Sequence, residues 1–306
     1  TPSSENPRFT TSLQIGQSNR FAGLDLAEPL SVSAVNILPE QPPAPVGDYR
    51  ITAEDQLGHG GPKSKYRDNV AALRLLQKLQ SEGRPASVAD QAILVKYVGW
   101  GGISQAFDHR NTEWKAEFQE LATLLAKDDY ESARRSTQDA HYTPEPVIQA
   151  IYTGLTGMGF DGGRILEPSI GTGNFAGMMS DSLRDRSKIT GVELDPVTAQ
   201  IAKLLYPSAS IINKGFQEVT IPSNYFDLAI GNPPFGNQRV FDSNHRDISQ
   251  FSIHNYFIAK SLNKVREGGI TAVVVSSYFM DAADQSAREH IAENAHFLGA
   301  IRLPNT

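Results

Sequence analysis

The second half of the chain alternates short β-rich runs with stretches long enough to form helices. Parallel strands need a crossover connection between them, and that connection is usually a helix. The alternation from residue 137 to residue 306 therefore predicts an α/β domain with a doubly wound, mostly parallel Rossmann-like sheet. The predicted strands are 164–166, 189–192, 210–212, 226–230, 270–275 and 297–303, and the predicted helices between them are 174–183, 196–205, 251–266 and 283–294.

Two different segments precede this domain. Residues 1–62 hold eight of the 18 prolines, with seven acidic against three basic side chains, which predicts an extended linker. Residues 63–136 show helical spacing of apolar residues, and Ser87 followed by Asp90 forms a capping signal. A small helical subdomain is expected there.

Composition excludes several classes of protein. The chain has no cysteine, so disulfides, thiolate zinc sites and cysteine nucleophiles are excluded, and a reducing cytoplasm is the expected location. No apolar run is long enough to span a membrane, and the histidines lack metal-ligand spacing. The net charge of −6 gives no general attraction for nucleic acid. Any DNA contact must therefore come from local patches.

A glycine-containing turn follows the first predicted strand. It begins with Glu167 and Pro168, and Gly171 and Gly173 allow close backbone approach to a ligand. Glu193 stands 20 residues after Gly173, at the end of the next strand, where an acid can accept both ribose hydroxyls of an adenosine. The pattern suits a dinucleotide as well as S-adenosylmethionine. The lack of a third glycine and the carboxylate at the strand end favour S-adenosylmethionine, which is cationic.

A second turn, Asn232-Pro233-Pro234-Phe235, follows the fourth predicted strand. The prolines fix the backbone and leave the Asn232 amide oxygen and the Pro233 carbonyl as acceptors. Two acceptors can hold the hydrogens of an exocyclic amine, so that its lone pair points toward a sulfonium methyl. Phe235 supplies a face on which an extruded base can stack. The turn therefore predicts the catalytic site.

These motifs resemble those of the amino-methyltransferases that act on N6 of adenine in DNA. The resemblance covers residues 140–304, and the motif order is similar to the γ arrangement. It implies that Tyr142 and Thr143 belong to the cofactor motif, with Thr143 near the methionine part. It also implies that Glu167 contacts that part and that Glu193 binds the ribose.

Two features depart from the family pattern. Many members have an Asp for the cofactor adenine where this chain has Gly215 followed by Phe216, so Phe216 is expected to stack on the adenine. The chain also stops after the sixth predicted strand, where the family has a further strand and usually a target-recognition region. We expect a fragment, or a methylase core whose DNA reader lies elsewhere. Residues 97–102 resemble long phage and plasmid proteins, including antirestriction proteins, that join a methylase to a helicase.

The expected activity is methyl transfer from S-adenosylmethionine to N6 of adenine in DNA by base flipping. The expected partners are DNA and a helicase or target-recognition region on the same or another chain. Two alternatives remain: methylation of a protein glutamine or of RNA guanine, and a non-catalytic interaction module. The loop with Arg239, His245 and Arg246 either contacts phosphates or is a plain polar loop.

Overall fold

A five-stranded parallel sheet is the centre of the molecule. The computed structural model describes residues 46–137 and 143–303. Within these residues the strands lie in the order β3-β2-β1-β4-β5. From β1 the chain builds the sheet outward in one direction through β2 and β3, and then returns to add β4 and β5 on the other side of β1, so the strand order switches between β1 and β4. Ligands in such sheets bind beyond the carboxyl ends of the strands at this switch point. The strands are β1 Gly163–Glu167, β2 Ser187–Glu193, β3 Ser210–Asn213, β4 Phe226–Gly231 and β5 Val265–Val273.

Helices connect the strands and also precede them. The sheet order and the crossovers confirm the predicted Rossmann-like α/β fold. The helices before the sheet are α1 Pro62–Glu82, α2 Val88–Leu94, α3 Lys115–Leu124 and α4 Lys127–Ser136. Those that accompany it are α5 Glu145–Gly157, α6 Asn174–Gly177, α7 Asp181–Arg184, α8 Pro196–Leu205, α9 Ile253–Lys264, α10 Ser277–Asp281 and α11 Ser286–Asn294.

The capping signal at the start of α2 is confirmed. The Ser87 hydroxyl accepts a hydrogen bond from the Asp90 amide, and the Asp90 carboxylate accepts one from the Ser87 amide at 2.8 Å. These bonds satisfy amides that a helix start otherwise leaves without partners. The helix itself ends at Leu94.

The helical region and the sheet share one hydrophobic core. Buried side chains of α1 and the following turns, such as Leu73 and Trp100, belong to the same cluster as Ile165 and Leu228 of the sheet. The buried Gln91 amide of α2 donates to the Leu204 carbonyl of α8 at 2.9 Å. The helical region is therefore packed into the core of the sheet domain.

The predicted linker needs a correction at its end. Residues 1–45 lie outside the described part of the chain, but residues 46–52 are extended and packed against the sheet domain. The Tyr49 amide donates to the Leu205 carbonyl at 2.7 Å, and the Ile51 amide donates to the Gly177 carbonyl at 3.0 Å. Backbone hydrogen bonds and the burial of Ile51 fix this segment in place.

The sequence places four strands correctly and errs on two. β5 begins at Val265 instead of 270, because a bulge lets Val265 pair with Phe226 before Ile270 pairs with Leu228. Residues 297–303 form no strand, and Phe297 and Ile301 are exposed. The predicted sixth strand is wrong here, because an apolar run becomes a strand only when another strand pairs with it.

Three predicted helices have different bounds, and the predicted stretch 251–266 is shorter, forming α9 at Ile253–Lys264. The stretch 174–183 divides into α6 and α7, and the stretch 283–294 begins at Ser286 and is preceded by the separate α10. In the described part of the chain, no helix is both long and apolar enough to cross a bilayer.

Candidate functional site

The two predicted motifs lie side by side at the switch point of the sheet. β1 and β4 are hydrogen-bonded neighbours, with Leu166 opposite Ala229. The Ser169 hydroxyl of the glycine turn donates to the Asn232 carbonyl at 3.0 Å. A Cβ built on Gly231 would lie 3.4 Å from Cγ of Glu167. The glycine turn after β1 and the Asn-Pro-Pro-Phe turn after β4 therefore form one site.

The glycine turn depends on backbone conformations that other residues rarely adopt. Gly171 has φ +57° and Gly173 has φ +84°. A Cβ on Gly173 would also lie 2.3 Å from Cε2 of Tyr206, so any other residue at this position would clash with that ring whatever its side-chain rotamer. The backbone of the turn thus packs directly against Tyr206 and leaves no room for a side chain at position 173.

Glu193 closes this turn from the end of β2. One carboxylate oxygen accepts from the Gly171 amide at 2.9 Å, and the other accepts from the Asp195 amide at 2.8 Å. Burial raises the pKa of Glu193 to about 7, although these amides partly oppose the shift. Each oxygen has a second lone pair, so the carboxylate can still accept two ligand hydroxyls.

Glu167 is buried at the end of β1, and it forms no ion pair with any residue that the structure describes. Its exposed fraction is 3%, and within residues 46–137 and 143–303 no group donates a hydrogen bond to its carboxyl side chain. Burial and the charge of Glu193 raise the pKa of Glu167 well above its usual range. An unpaired buried acid is costly, and a cationic ligand would remove that cost.

Other predicted cofactor residues lie around this pair. Pro168 is buried directly after Glu167, and Thr143 is buried just before α5. Tyr142 lies outside the described residues. These three assignments stay predictions.

Phe216 lies deeper than the resemblance implied. Its side chain is 2% exposed and packs against Phe257 with ring centroids 5.1 Å apart. The ammonium of Lys260 lies 4.8 Å from the centroid of the same ring. Phe216 is therefore a core residue at this edge of the sheet, and its contact with a cofactor adenine stays a prediction.

The predicted catalytic turn has an aromatic neighbour that the sequence did not reveal. The ring of Phe235 lies 5.1 Å from the ring of His254, and His254 in turn lies 6.2 Å from Phe279. Burial lowers the pKa of His254, partly opposed by the Pro234 carbonyl. His254 is thus a buried ring that packs beside Phe235. A single histidine without a motif gives no sequence signal for this role.

No metal centre is found in the described part of the chain. No group of three or more His, Asp or Glu side chains there is arranged to hold an ion.

Comparison with known proteins finds one family model that matches part of this chain. Residues 182–305 match the Eco57I restriction-modification methylase family. The matched segment contains Glu193 and the whole Asn-Pro-Pro-Phe turn. This match confirms the resemblance to DNA methyltransferases and the prediction of S-adenosylmethionine as cofactor.

Individual relatives agree with the family match. The chain is 31% identical over 170 residues to the Defense against restriction protein B of Escherichia phage P1, covering 54% of this chain and 7% of that protein. It is 34% identical over 103 residues to the Type II methyltransferase M.CvrRI of Paramecium bursaria Chlorella virus XZ-6E, covering 33% of this chain and 25% of that one. The chain thus spans a quarter or less of the length of these two relatives.

Solved structures resemble this fold at low sequence identity. The type I restriction-modification methyltransferase subunit from Streptococcus thermophilus is similar to 74% of this chain, over 59% of its own, with a TM-score of 0.43 and 14% identity.

Proposed function

We propose that this chain transfers a methyl group from S-adenosylmethionine to the N6 amine of adenine in DNA, with the target base turned out of the duplex. The observation that carries the proposal is that Glu167 and Glu193, two acids without an ion-pair partner among the described residues, lie beside the Asn232 turn. The hydrogen bond from Ser169 to Asn232 joins the two turns. A cation-binding pocket and an amine-holding turn at the same sheet edge are what this reaction requires.

The acids supply the cofactor pocket in this proposal. Glu193 accepts the ribose hydroxyls with the lone pairs that Gly171 and Asp195 leave open. Glu167 faces the positively charged methionine part, which relieves its own burial. The bound cofactor supplies an electrophilic methyl group on a sulfonium.

The turn holds the acceptor in this proposal. The Asn232 amide oxygen and the Pro233 carbonyl accept the two hydrogens of the adenine amine, and Phe235 stacks on the base. The nitrogen lone pair then attacks the methyl carbon, so that a C–N bond forms and a C–S bond breaks. The amine releases one proton to solvent. Orientation of the weak nucleophile is the main contribution of the turn.

Tritiated methyl transfer tests the proposal. The acceptor is a DNA duplex that contains adenine, and the matched control is the same duplex with every adenine already N6-methylated. We expect label in the first duplex only, and none with Asn232→Ala. Label in RNA or protein acceptors, with none in DNA, would refute the adenine assignment and favour the glutamine or guanine alternative.

A further inference from the structure

The loop between the catalytic turn and α9, residues 236–252, is anchored by a buried ion pair. The ammonium of Lys260 in α9 lies 2.7 Å from the Asp242 carboxylate, and the two side chains are 2% and 0% exposed. The Tyr256 hydroxyl donates to the same carboxylate at 2.6 Å, and the Asn244 amide donates to its other oxygen at 2.9 Å. Although burial alone would raise it, these donors hold the pKa of Asp242 at about 2.

The same lysine ties the loop to the cofactor side of the sheet. Lys260 also donates to the Phe216 carbonyl at 2.7 Å. One ammonium therefore joins the loop, α9 and the segment after β3. A buried pair adds little net stability compared with apolar packing, but it allows only arrangements in which both charges meet their partners. Its effect here is to fix where the loop lies.

The outer side of this anchored loop carries groups that suit a nucleic acid. Phe241, adjacent to the buried Asp242, is 74% exposed. Arg239 and Arg246 are exposed, and neither has an acidic partner within 4.0 Å in the described part of the chain. Of the two acids in the loop, Asp242 is buried and paired with Lys260, and Asp247 is exposed. An exposed aromatic side chain together with arginines that have no acidic partner is the combination by which proteins bind nucleic-acid strands.

The position of the loop selects the partner. Phe241 lies six residues after Phe235, so the loop leaves directly from the turn where the extruded base would be held. Arginines contact phosphates, and apolar side chains can insert where a base has left the stack. We propose that residues 236–252 form a preformed DNA-contacting platform, in which Arg239 and Arg246 bind phosphates and Phe241 packs against the bases beside the extruded one. This proposal rests on DNA being the substrate.

Binding to DNA tests the outer side. The probe is a fluorescein-labelled duplex of mixed sequence, titrated with the chain at several salt concentrations while anisotropy is followed. We expect Phe241→Ala to weaken binding about tenfold. Arg239→Ala and Arg246→Ala should each reduce the salt slope by about one. The matched controls are Val88→Ala and Arg67→Ala, exposed apolar and basic positions in α2 and α1.

Loop variants that bind like the two controls would overturn the platform, as would a chain that does not bind the duplex at all. If Phe241→Ala alone leaves the DNA affinity unchanged, Phe241 does not belong to the platform. Its exposed ring would then be a contact surface for another polypeptide segment. The binding assay needs no methyl transfer. A chain that binds DNA through this loop and methylates no adenine would therefore refute the proposed function and leave the platform standing.

Hydrogen exchange tests the anchor. Tyr256→Phe removes one donor to Asp242 and keeps the ion pair, so the fold is retained. We expect the Asn244 amide to exchange several-fold faster, and trypsin to cleave sooner at Arg239 and Arg246, while amides of β1 and β2 are unchanged. DNA affinity should fall with the same variant. Unchanged exchange at Asn244 would show that the ion-pair network does not hold the loop.

Discussion

Two regions of the molecule bury acidic side chains, and they treat them in opposite ways. At the ends of β1 and β2, Glu167 is buried and Glu193 is half-buried, the described residues supply no ion-pair partner to either, and both have raised pKa values. Beyond β4, Asp242 is buried more completely, yet Lys260 and Tyr256 hold its pKa at about 2. In the first region the free-energy cost of burying a carboxylate is not offset by a counter-charge. In the second region an ion pair and hydrogen bonds within the chain offset it.

The difference separates a binding site from a positioning element. An acid that the fold leaves without a counter-charge is neutralised either by a proton or by a ligand, and a cationic ligand converts part of the burial cost into binding free energy. An acid that meets a lysine and a tyrosine is already satisfied and has no reason to attract a ligand. The burial of a carboxylate therefore says little about function until its partners are known.

The largest expected effect comes from breaking the ion pair between Asp242 and Lys260. Lys260→Met leaves Asp242 buried without its cation, so we expect the free energy of unfolding to fall by about 3–5 kcal/mol. Urea unfolding measures it. The double variant Asp242→Leu with Lys260→Met removes both charges and should recover much of the loss. A single variant as stable as the natural chain would mean that the two regions do not differ in this way.

The next effect is on the catalytic turn. Asn232→Ala removes an acceptor for the amine and leaves the cofactor pocket untouched. We expect methyl transfer to slow by at least about 3 kcal/mol of barrier, roughly a hundredfold or more. Single-turnover rates together with calorimetric cofactor titration check it. Loss of cofactor affinity in parallel with rate would show that Asn232 belongs to the pocket instead.

Removing the ribose acid should have a smaller effect. Glu193→Ala loses a charged acceptor for two hydroxyls, and we expect cofactor affinity to fall by about 1.5–3 kcal/mol. Calorimetry with S-adenosylmethionine measures it, with the exposed Glu289→Ala in α11 as the matched control. Equal affinities for the two variants would exclude Glu193 from the site.

Neutralising Glu167 sharpens the comparison because stability and binding should change in opposite directions. Glu167→Gln removes a buried acid that has no partner in the free chain, so the free energy of unfolding should rise by about 0.5–2 kcal/mol. Cofactor binding should weaken. Thermal unfolding with and without S-adenosylmethionine separates the two changes. A variant that is destabilised without cofactor would place Glu167 among structural acids such as Asp242.

The smallest expected effect is the response to pH. Since the pKa of Glu193 is raised to about 7, the folded state binds more protons than the unfolded state between the ordinary glutamate range and that value. The stabilisation is present at acidic pH and is lost as pH rises through about 7. Cofactor affinity should rise over the same interval, because the ribose hydroxyls bind the ionised form. Glu193→Gln should flatten the affinity profile, and an unaltered slope in that variant would assign the titration to another group.

The sequence predicted those parts of the fold that are fixed by local pattern. β1 to β4 were recognisable as short β-rich runs, and the cap at Ser87 as a spacing of three residues. The adjacency of Glu167 and Asn232 was not predicted, because it depends on the strand order that makes β1 and β4 neighbours. The individual roles of these site residues stay predictions.

The parts that the sequence could not predict depend on partners distant along the chain. Asp242 and Lys260 are 18 residues apart, one in a loop and one in a helix, and nothing in their spacing indicates that they meet. His254 is a lone ring whose role comes from its neighbours Phe235 and Phe279. For residues 297–303 the pattern was right for a strand, but the described structure has no pairing there.

The shared core of the helical region and the sheet has a practical consequence for anyone dividing this protein. Expression from residue 143 onward would strip α2 from α8 and leave the carbonyl of Leu204 without the Gln91 amide. The apolar face that Trp100 and Leu73 now cover would be open to water, and such a face drives aggregation. The sheet domain should therefore be produced with the helical region attached. The expressed chain should begin no later than Tyr49, whose amide pairs with the Leu205 carbonyl.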